Sequence, residues 1–162
     1  MSRHYLPAGD YLPHAAPMVL VEEVIDVAEK SAHCRVVVSK TSVLGPFLTP
    51  EGDLPAWFAI ELMAQTVGVW NGWRANQLGD APKLGLLLGG RGIKCAMAQF
   101  PADSVLDIRV EMMLQDEKLA NFECVITTSD EDNHSTILAQ ARLNTYQPDE
   151  DEIIKLTQGL QQ

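Results

Sequence analysis

The sequence predicts an α+β fold in which a curved antiparallel sheet wraps around one long central helix. One segment, residues 55–78, has a helical apolar period and is nearly free of charge up to residue 73. A helix that is apolar almost all round is a buried one, so other elements must cover it. The segments on both sides of it are rich in β-branched residues or alternate in polarity, as antiparallel strands do.

The chain has 162 residues, of which 46% are apolar, enough for one domain with a core. We therefore expect a single domain over residues 1–162, with residues 149–162 as a short tail that forms a terminal helix or frays. No uncharged run reaches the roughly 18 to 20 residues that span a bilayer, and the N-terminus lacks the apolar region of a signal peptide. These features predict a soluble, cytoplasmic protein.

The charge pattern argues against nucleic acid as a partner and leaves one cationic stretch. The net charge is −10, whereas phosphate backbones attract clustered Lys and Arg. Residues 70–100 contain four cations and one carboxylate, a local balance of +3: Arg74, Lys83, Arg91 and Lys94 against Asp80. An acidic or phosphorylated partner could approach this stretch, and scattered solvated charges are the alternative interpretation.

The three cysteines indicate neither a disulfide framework nor a metal site. Cys34, Cys95 and Cys124 are odd in number and have no C-x-x-C spacing. We expect three small buried thiols.

The elements before the helix are a hairpin and a loop. Residues 18–27 and 32–40 are predicted as two strands joined by a short polar link. The loop that follows, residues 41–55, is rich in glycine and proline. At its end Asp53 is predicted to cap the helix, Pro55 suits the first helical turn, and Gly79 marks the stop.

Four further strands are predicted after the helix, over residues 84–99, 104–115, 120–130 and 134–146. The run Gly-Gly-Arg-Gly at 89–92 lacks the spacing of a phosphate-binding loop and is interpreted as a bulge or turn. Two strands, one apolar helix and about four antiparallel strands form the hotdog fold.

The helix carries two polar side chains that its apolar pattern does not need. A carboxyl group at Glu61 in apolar surroundings loses hydration and keeps its proton near neutral pH, which suits a general acid. From spacing alone, a structural ion pair, for instance with Arg91, explains it equally well. Gln65 lies one turn on and could orient the carboxyl group or bond a backbone group. Trp57, Trp70 and Trp73 are expected as core or dimer contacts.

Several motifs resemble one family. The segments YLPHAAPMVLVEEVIDV (11–27), LPAWFAIELMAQTVG (54–68) and FPADSVLDIRVEM (100–112) resemble motifs of the 3-hydroxyacyl-(acyl carrier protein) dehydratases of bacterial fatty acid synthesis. LPAW, IELMAQ, LLLGGR and LNTYQP are most similar to the ApeP-like branch, which is associated with aryl polyene synthesis. The resemblance runs from about Tyr11 to Pro148.

The resemblance implies a site. Glu61 matches the catalytic acid, and Gln65 matches the glutamine that follows it. The backbone amide of Ala56 matches the glycine amide that holds the thioester oxygen. The usual catalytic histidine of a Gly-His-Phe motif is absent, because this sequence has Gly-Pro-Phe at 45–47. His14 is then the candidate base, with a turn or surface role as the alternative.

The resemblance also implies the substrate and the assembly. The substrate is a 3-hydroxyacyl group on the phosphopantetheine of an acyl carrier protein, and Arg91 is a candidate for lining the approach of that phosphate. No metal or organic cofactor is implied. The chain is expected to form a double-hotdog dimer, either a homodimer or a heterodimer with another hotdog dehydratase. Two alternatives stay open: a weakly active or inactive subunit of a heterodimeric dehydratase, and a hotdog thioesterase.

Overall fold

The computed structural model describes residues 5–12, 18–79, 86–116, 119–129 and 134–146. They form a six-stranded antiparallel sheet packed against one helix, α1 (Ala59–Gln77). The strands are β1 (Glu23–Ala28), β2 (Ser31–Val37), β3 (Leu54–Pro55), β4 (Leu86–Cys95), β5 (Gln99–Phe100), β6 (Val105–Asp116), β7 (Leu119–Ser129) and β8 (Ser135–Tyr146). The large sheet has the order β1-β2-β6-β7-β8-β4, and β3 pairs with β5 separately.

The strand order confirms the predicted hairpin and the three antiparallel neighbours after the helix. β1 and β2 pair through a two-residue turn, and β6, β7 and β8 pair in sequence. Strand β4 crosses to the far edge and pairs with β8, with register shifts around Gly89 and between Arg91 and Lys94. Gly92 has a φ of 64°, so the predicted irregularity at 89–92 is confirmed as bulges within β4.

Strand β1 begins five residues later than predicted, because the preceding backbone is engaged elsewhere. The amide of Leu20 donates to the Gln65 side chain at 2.7 Å. The carbonyl of Glu22 accepts from the Ala8 amide at 3.0 Å. These bonds hold the backbone at Met18, Leu20 and Glu22, and Glu22 makes a bond to β2, from its amide to the Arg35 carbonyl at 3.4 Å. Alternation alone does not reveal such partners.

The helix ends where the sequence predicts, but it begins differently. A 3-10 turn at Ala56–Phe58 leads into α1, and Gly79 follows the end with a φ of 77°. Asp53 does not cap the helix. Its carboxylate accepts a hydrogen bond from the Ala102 amide at 2.9 Å, so it fastens the loop to the turn after β5.

The core lies between α1 and the inward side chains of the central strands. Its fully buried members include Leu62, Met63, Phe100, Leu106, Ile108, Phe122, Ile126 and Leu143. Trp70 packs edge-on against Phe122 at 5.3 Å and donates its indole N–H to the Glu29 carbonyl at 3.1 Å. At Gly72 an added Cβ would collide with the Tyr11 backbone, so the N-terminal 3-10 turn (Ala8–Tyr11) requires glycine at this point of the helix.

Two cysteines are buried as expected and the third is not. Burial raises the pKa of the Cys34 and Cys124 thiols to about 12, which keeps both protonated. Cys95 is exposed on the edge strand β4. β4 has a paired neighbour, β8, on one side only. The expected burial is wrong at this position.

Two further points concern regions predicted from the sequence. The tail at 149–162 lies outside the described residues. Over the part of the chain that the structure describes, no helix has the length and apolarity needed to cross a membrane.

Candidate active site

The backbone at the start of the helix is held against the edge of the sheet. Ala56 donates its amide N–H to the Ala98 carbonyl at 2.9 Å, and the Cys95 sulfur lies 4.0 Å from the Ala56 carbonyl oxygen. That donor already has an acceptor in its own chain. The oxygen-binding role expected for the Ala56 amide stays a prediction. The next amide, that of Trp57, donates to no acceptor within the described residues.

Glu61 lies one helical turn beyond Trp57 on the same face, and both side chains are exposed. Trp57 is 76% exposed, the highest value among the large apolar residues that the structure describes. Within the described residues, Glu61 makes no ion pair or side-chain hydrogen bond, and Arg91 does not reach it. The apolar surroundings expected for this carboxyl group are not supplied by its own chain.

Gln65 bonds backbone groups of its own chain. Its side chain is 2% exposed, its Oε1 accepts from the Leu20 amide, and its Nε2 donates to the Met18 carbonyl, each at 2.7 Å. Both polar atoms are thus occupied within the chain. Of the two roles considered for Gln65, the structure shows the bond to backbone groups, and substrate binding by Gln65 stays a prediction.

Arg91 lies on the opposite side of the sheet from the core. It pairs in register with Arg142, while the adjacent pair Gly90–Leu143 faces inward, where Leu143 is fully buried. Arg91 therefore lines an outer-face groove of about 910 Å³ that runs across the sheet. Its lining includes the charged or titratable residues Asp26, His33, Arg91, Lys94, Arg109, Glu111, Glu123 and Arg142, and it does not include Glu61.

One carboxylate on this outer face is buried and tightly held. Asp107 is 6% exposed and bonds the His33 Nε2 at 2.7 Å and the Arg35 Nε at 2.8 Å. Burial on its own raises the pKa of Asp107, but the hydrogen bonds from His33 and Arg35 outweigh it, so the net pKa is lowered. Burial lowers the pKa of His33, and the bond to Asp107 offsets this only in part. His33 and Asp107 lie on strands β2 and β6, whereas Glu61 lies on α1.

The described residues offer no group of His, Cys, Asp and Glu side chains that could hold a metal ion. The outer-face groove and a smaller groove between the ends of β6, β7 and β8 both have linings that do not include Glu61.

A family model described as ApeP dehydratase, of the ApeP-like family, matches residues 6–158. The chain belongs to the ApeP-like dehydratase family. This confirms the resemblance indicated by the sequence motifs and, with it, a dehydratase function in aryl polyene biosynthesis. No curated protein matches the chain.

Solved structures support the family and the fold. A chain of the dehydratase heterocomplex ApeI:P from Xenorhabdus doucetiae is 50% identical, with 95% of this chain and 99% of that chain covered and a TM-score of 0.86. A hypothetical thioesterase with coenzyme A from Streptococcus pneumoniae is 17% identical, with 78% of this chain and 84% of that chain covered and a TM-score of 0.57. The PaaI protein of E. coli is 13% identical, with 76% of this chain and 81% of that chain covered and a TM-score of 0.55. The last two show the hotdog fold alone.

Proline occupies the position at which the wider family has its catalytic histidine. The Gly45–Phe47 segment forms a 3-10 turn, and the Phe47 ring lies 5.4 Å from the Phe58 ring at the entry of α1. Pro46, which occupies the position of the usual histidine, therefore lies close to the start of the helix and has no group that can transfer a proton. His14, the candidate replacement, lies outside the described residues.

Sequence reasoning missed the charged residues that strand register brings together. Arg109 and Arg142 belong to the strongly acidic second part of the chain, yet both line the same groove as Arg91 and Lys94. Alternation along β6 and β8 indicates which side chains face outward. Only the strand order reveals that these positions are neighbours.

Proposed function

We propose that the protein removes water from 3-hydroxyacyl groups carried on an acyl carrier protein, with Glu61 as the proton donor to the departing hydroxyl group. The carboxyl group of Glu61 carries this proposal, because it lies in the family motif, is exposed and is one turn from the Trp57 amide. Within the described residues neither group has a hydrogen-bond partner. A base takes a proton from C2 of the acyl group, the C2–C3 double bond forms, and the C3–O bond breaks. The hydroxyl group then leaves as water with the proton from Glu61.

The thioester oxygen gains negative charge as the C2 proton leaves. An amide at the first turn of a helix stabilises such charge, because its N–H points away from the helix and the helix dipole adds to it. We assign this role to the Trp57 amide in place of the Ala56 amide. His14 remains the proposed base, and the reaction uses no metal or organic cofactor.

A partner subunit completes the proposed site. Glu61 and Trp57 are open to solvent in the single chain, and a general acid is more effective where water is excluded. The similar chain from Xenorhabdus doucetiae was solved in a heterocomplex of dehydratases. We therefore propose that a second hotdog dehydratase chain covers this face, in a soluble cytoplasmic assembly.

A second function is favoured by one observation. Proline occupies the histidine position beside the helix start, so the chain alone has lost one proton-transfer group that the wider family uses. In that case the chain is a subunit that is inactive alone and completes the site of its partner.

One assay separates these functions. The chain, alone and with a coexpressed hotdog dehydratase partner, is given a 3-hydroxyacyl thioester on acyl carrier protein, and both enoyl absorbance and free thiol are followed. Enoyl formation by the assembly that is lost when Glu61 of this chain is replaced by Gln supports the leading proposal, and enoyl formation that survives this replacement supports the second. Thiol release without enoyl product would identify a thioesterase and contradict both.

A further inference from the structure

Three aromatic rings form a continuous row at the start of helix α1. The Phe47 ring lies 5.4 Å from the Phe58 ring, and the Phe58 ring lies 6.1 Å from the Trp57 ring, with interplanar angles of 54° and 32°. Both separations fall within the range of about 4.5–7 Å in which aromatic rings attract one another. We call Phe47, Phe58 and Trp57 the aromatic row.

The two ends of the aromatic row are held differently. Phe47 and Phe58 are half-buried and pack against the core, so the fold fixes their positions. Trp57 is exposed, and its one ring neighbour within the described residues is Phe58. The row therefore ends in a large aromatic surface that the fold of this chain does not use.

This open end lies beside the proposed acid. Trp57 precedes Glu61 by four residues, a spacing that brings the Cβ atoms of helical residues to about 5–6 Å from each other. The other end of the row, Phe47, directly follows Pro46 in the position of the wider family's histidine. An acyl group whose C3 hydroxyl contacts Glu61 thus has the Trp57 ring close to C3.

The chemistry of a polyene determines what adjoins C3 in the substrate. Each dehydration adds one C2–C3 double bond, and a polyene is a series of such bonds in conjugation. A dehydratase of aryl polyene biosynthesis therefore acts, in every later round, on a chain whose earlier double bonds begin at C4. That segment is planar and has a π face, whereas a saturated chain of the same length is flexible and has none.

We propose that the aromatic row is the subsite for the conjugated segment of the acyl chain, with Trp57 as its specificity-determining residue. The proposal rests on the proposed function, which locates C3 at Glu61. The Trp57 ring stacks on the planar carbons from C4 onward, and Phe58 and Phe47 support it from the core side. The site then binds conjugated chains more tightly than saturated chains of equal length.

The test compares the binding of two unreactive acyl groups. The assembly of this chain with its coexpressed hotdog partner is titrated with labelled acyl carrier protein, and fluorescence anisotropy gives the dissociation constant. One carrier bears an acyl group with a conjugated triene that begins at C4, and the other bears the saturated group with the same number of carbons. Neither acyl group has a 3-hydroxyl group, so only binding is measured.

Two substitutions of Trp57 separate its π face from its apolar area. Trp57→Leu keeps an apolar side chain and removes the π face, so the preference for the conjugated group should fall by about 2- to 12-fold. Trp57→Phe keeps a π face and should retain most of the preference. The matched control is Trp73→Leu, a half-buried tryptophan near the other end of α1, which should keep the preference of the wild type.

Three results would overturn the proposal. The first is equal binding of the two acyl groups by the wild type, and the second is an unchanged preference in folded Trp57→Leu. The third is loss of the assembly in Trp57→Leu on size-exclusion chromatography, which would identify Trp57 as the partner contact expected from the sequence. Because the binding ratio does not depend on catalysis, a failed dehydration assay would contradict the proposed function and leave this result interpretable.

Discussion

Two successive turns of helix α1 carry polar side chains in opposite circumstances. Glu61, in the first turn, is exposed and makes no ion pair or side-chain hydrogen bond within the described residues. Gln65 and Thr66, one turn on, are buried and bonded, Gln65 to Met18 and Leu20, and Thr66 to the Leu62 carbonyl at 2.9 Å. A buried polar group costs free energy unless it is bonded, so the second turn is satisfied by this chain alone.

The difference shows which polar residues the fold itself requires. Gln65 links the helix to the segment before β1, and removing it would leave the Leu20 amide and the Met18 carbonyl unpaired. Glu61 makes no ion pair or side-chain hydrogen bond within the described residues, so it does not hold the fold together. A polar residue that the fold does not need is available for chemistry or for a partner, and Glu61 and Gln65 show both cases within one helix of an ApeP-like dehydratase.

The largest expected effect separates activity from stability. Glu61→Gln removes the titratable proton and keeps the volume, so dehydration by the complete assembly should fall by about 10²- to 10⁴-fold, the usual contribution of a general acid. Because Glu61 has no partner in the described chain, the free energy of unfolding should change by less than about 0.5 kcal/mol. Enoyl formation and chemical denaturation are the two measurements, and retained turnover would exclude Glu61 as the acid.

The next effect contrasts two tryptophans. Trp70→Ala removes a buried ring from Phe122 and an indole donor from Glu29, and should lower the free energy of unfolding by about 3–5 kcal/mol. Trp57→Ala, on the exposed face, should change it by less than about 1 kcal/mol in the isolated chain. Urea denaturation of both variants checks this. A large fall in the free energy of unfolding for Trp57→Ala in the isolated chain would show that the Trp57 side chain packs against other residues of the same chain.

The smallest expected effect is on the pH dependence of stability, which involves Asp107 on the outer face of the sheet. Because the pKa of Asp107 is lowered on folding, the ionised carboxylate contributes to the free energy of unfolding above about pH 4. This contribution is lost as the pH falls through the pKa of the folded protein. The lowered pKa of His33 acts in the same direction below its ordinary value of 6.5, since the unfolded chain binds that proton more readily.

Asp107→Asn should therefore reduce stability at pH 7 by about 1–3 kcal/mol and make the decline below pH 4 shallower. Denaturation midpoints between pH 3 and pH 8 measure both. Glu61→Gln is the matched comparison and should leave this profile unchanged, because the two carboxyl groups lie on different elements. An identical acid decline in Asp107→Asn and the wild type would show that Asp107 does not set it.

Local sequence patterns were enough to predict the fold, but they were not enough to predict the contacts made by the site residues. Alternation over 104–146 and the apolar period of 55–78 predicted the strands and the helix because each pattern reflects one buried face. The occupied amide of Ala56, the backbone partners of Gln65 and the direction of Arg91 depend on contacts with residues distant in sequence. Motif similarity located Glu61, but no pattern within the helix indicates that its own chain leaves it uncovered.

The close fit between Gly72 and Tyr11 has a practical consequence for anyone who expresses this protein. Ala8 and Tyr11 are as buried as the strands of the core, so the 3-10 turn Ala8–Tyr11 is part of the packed interior. A shortened version that starts after Leu12 would expose the helix surface beneath this turn. Affinity tags should therefore be attached without removing residues 8–12.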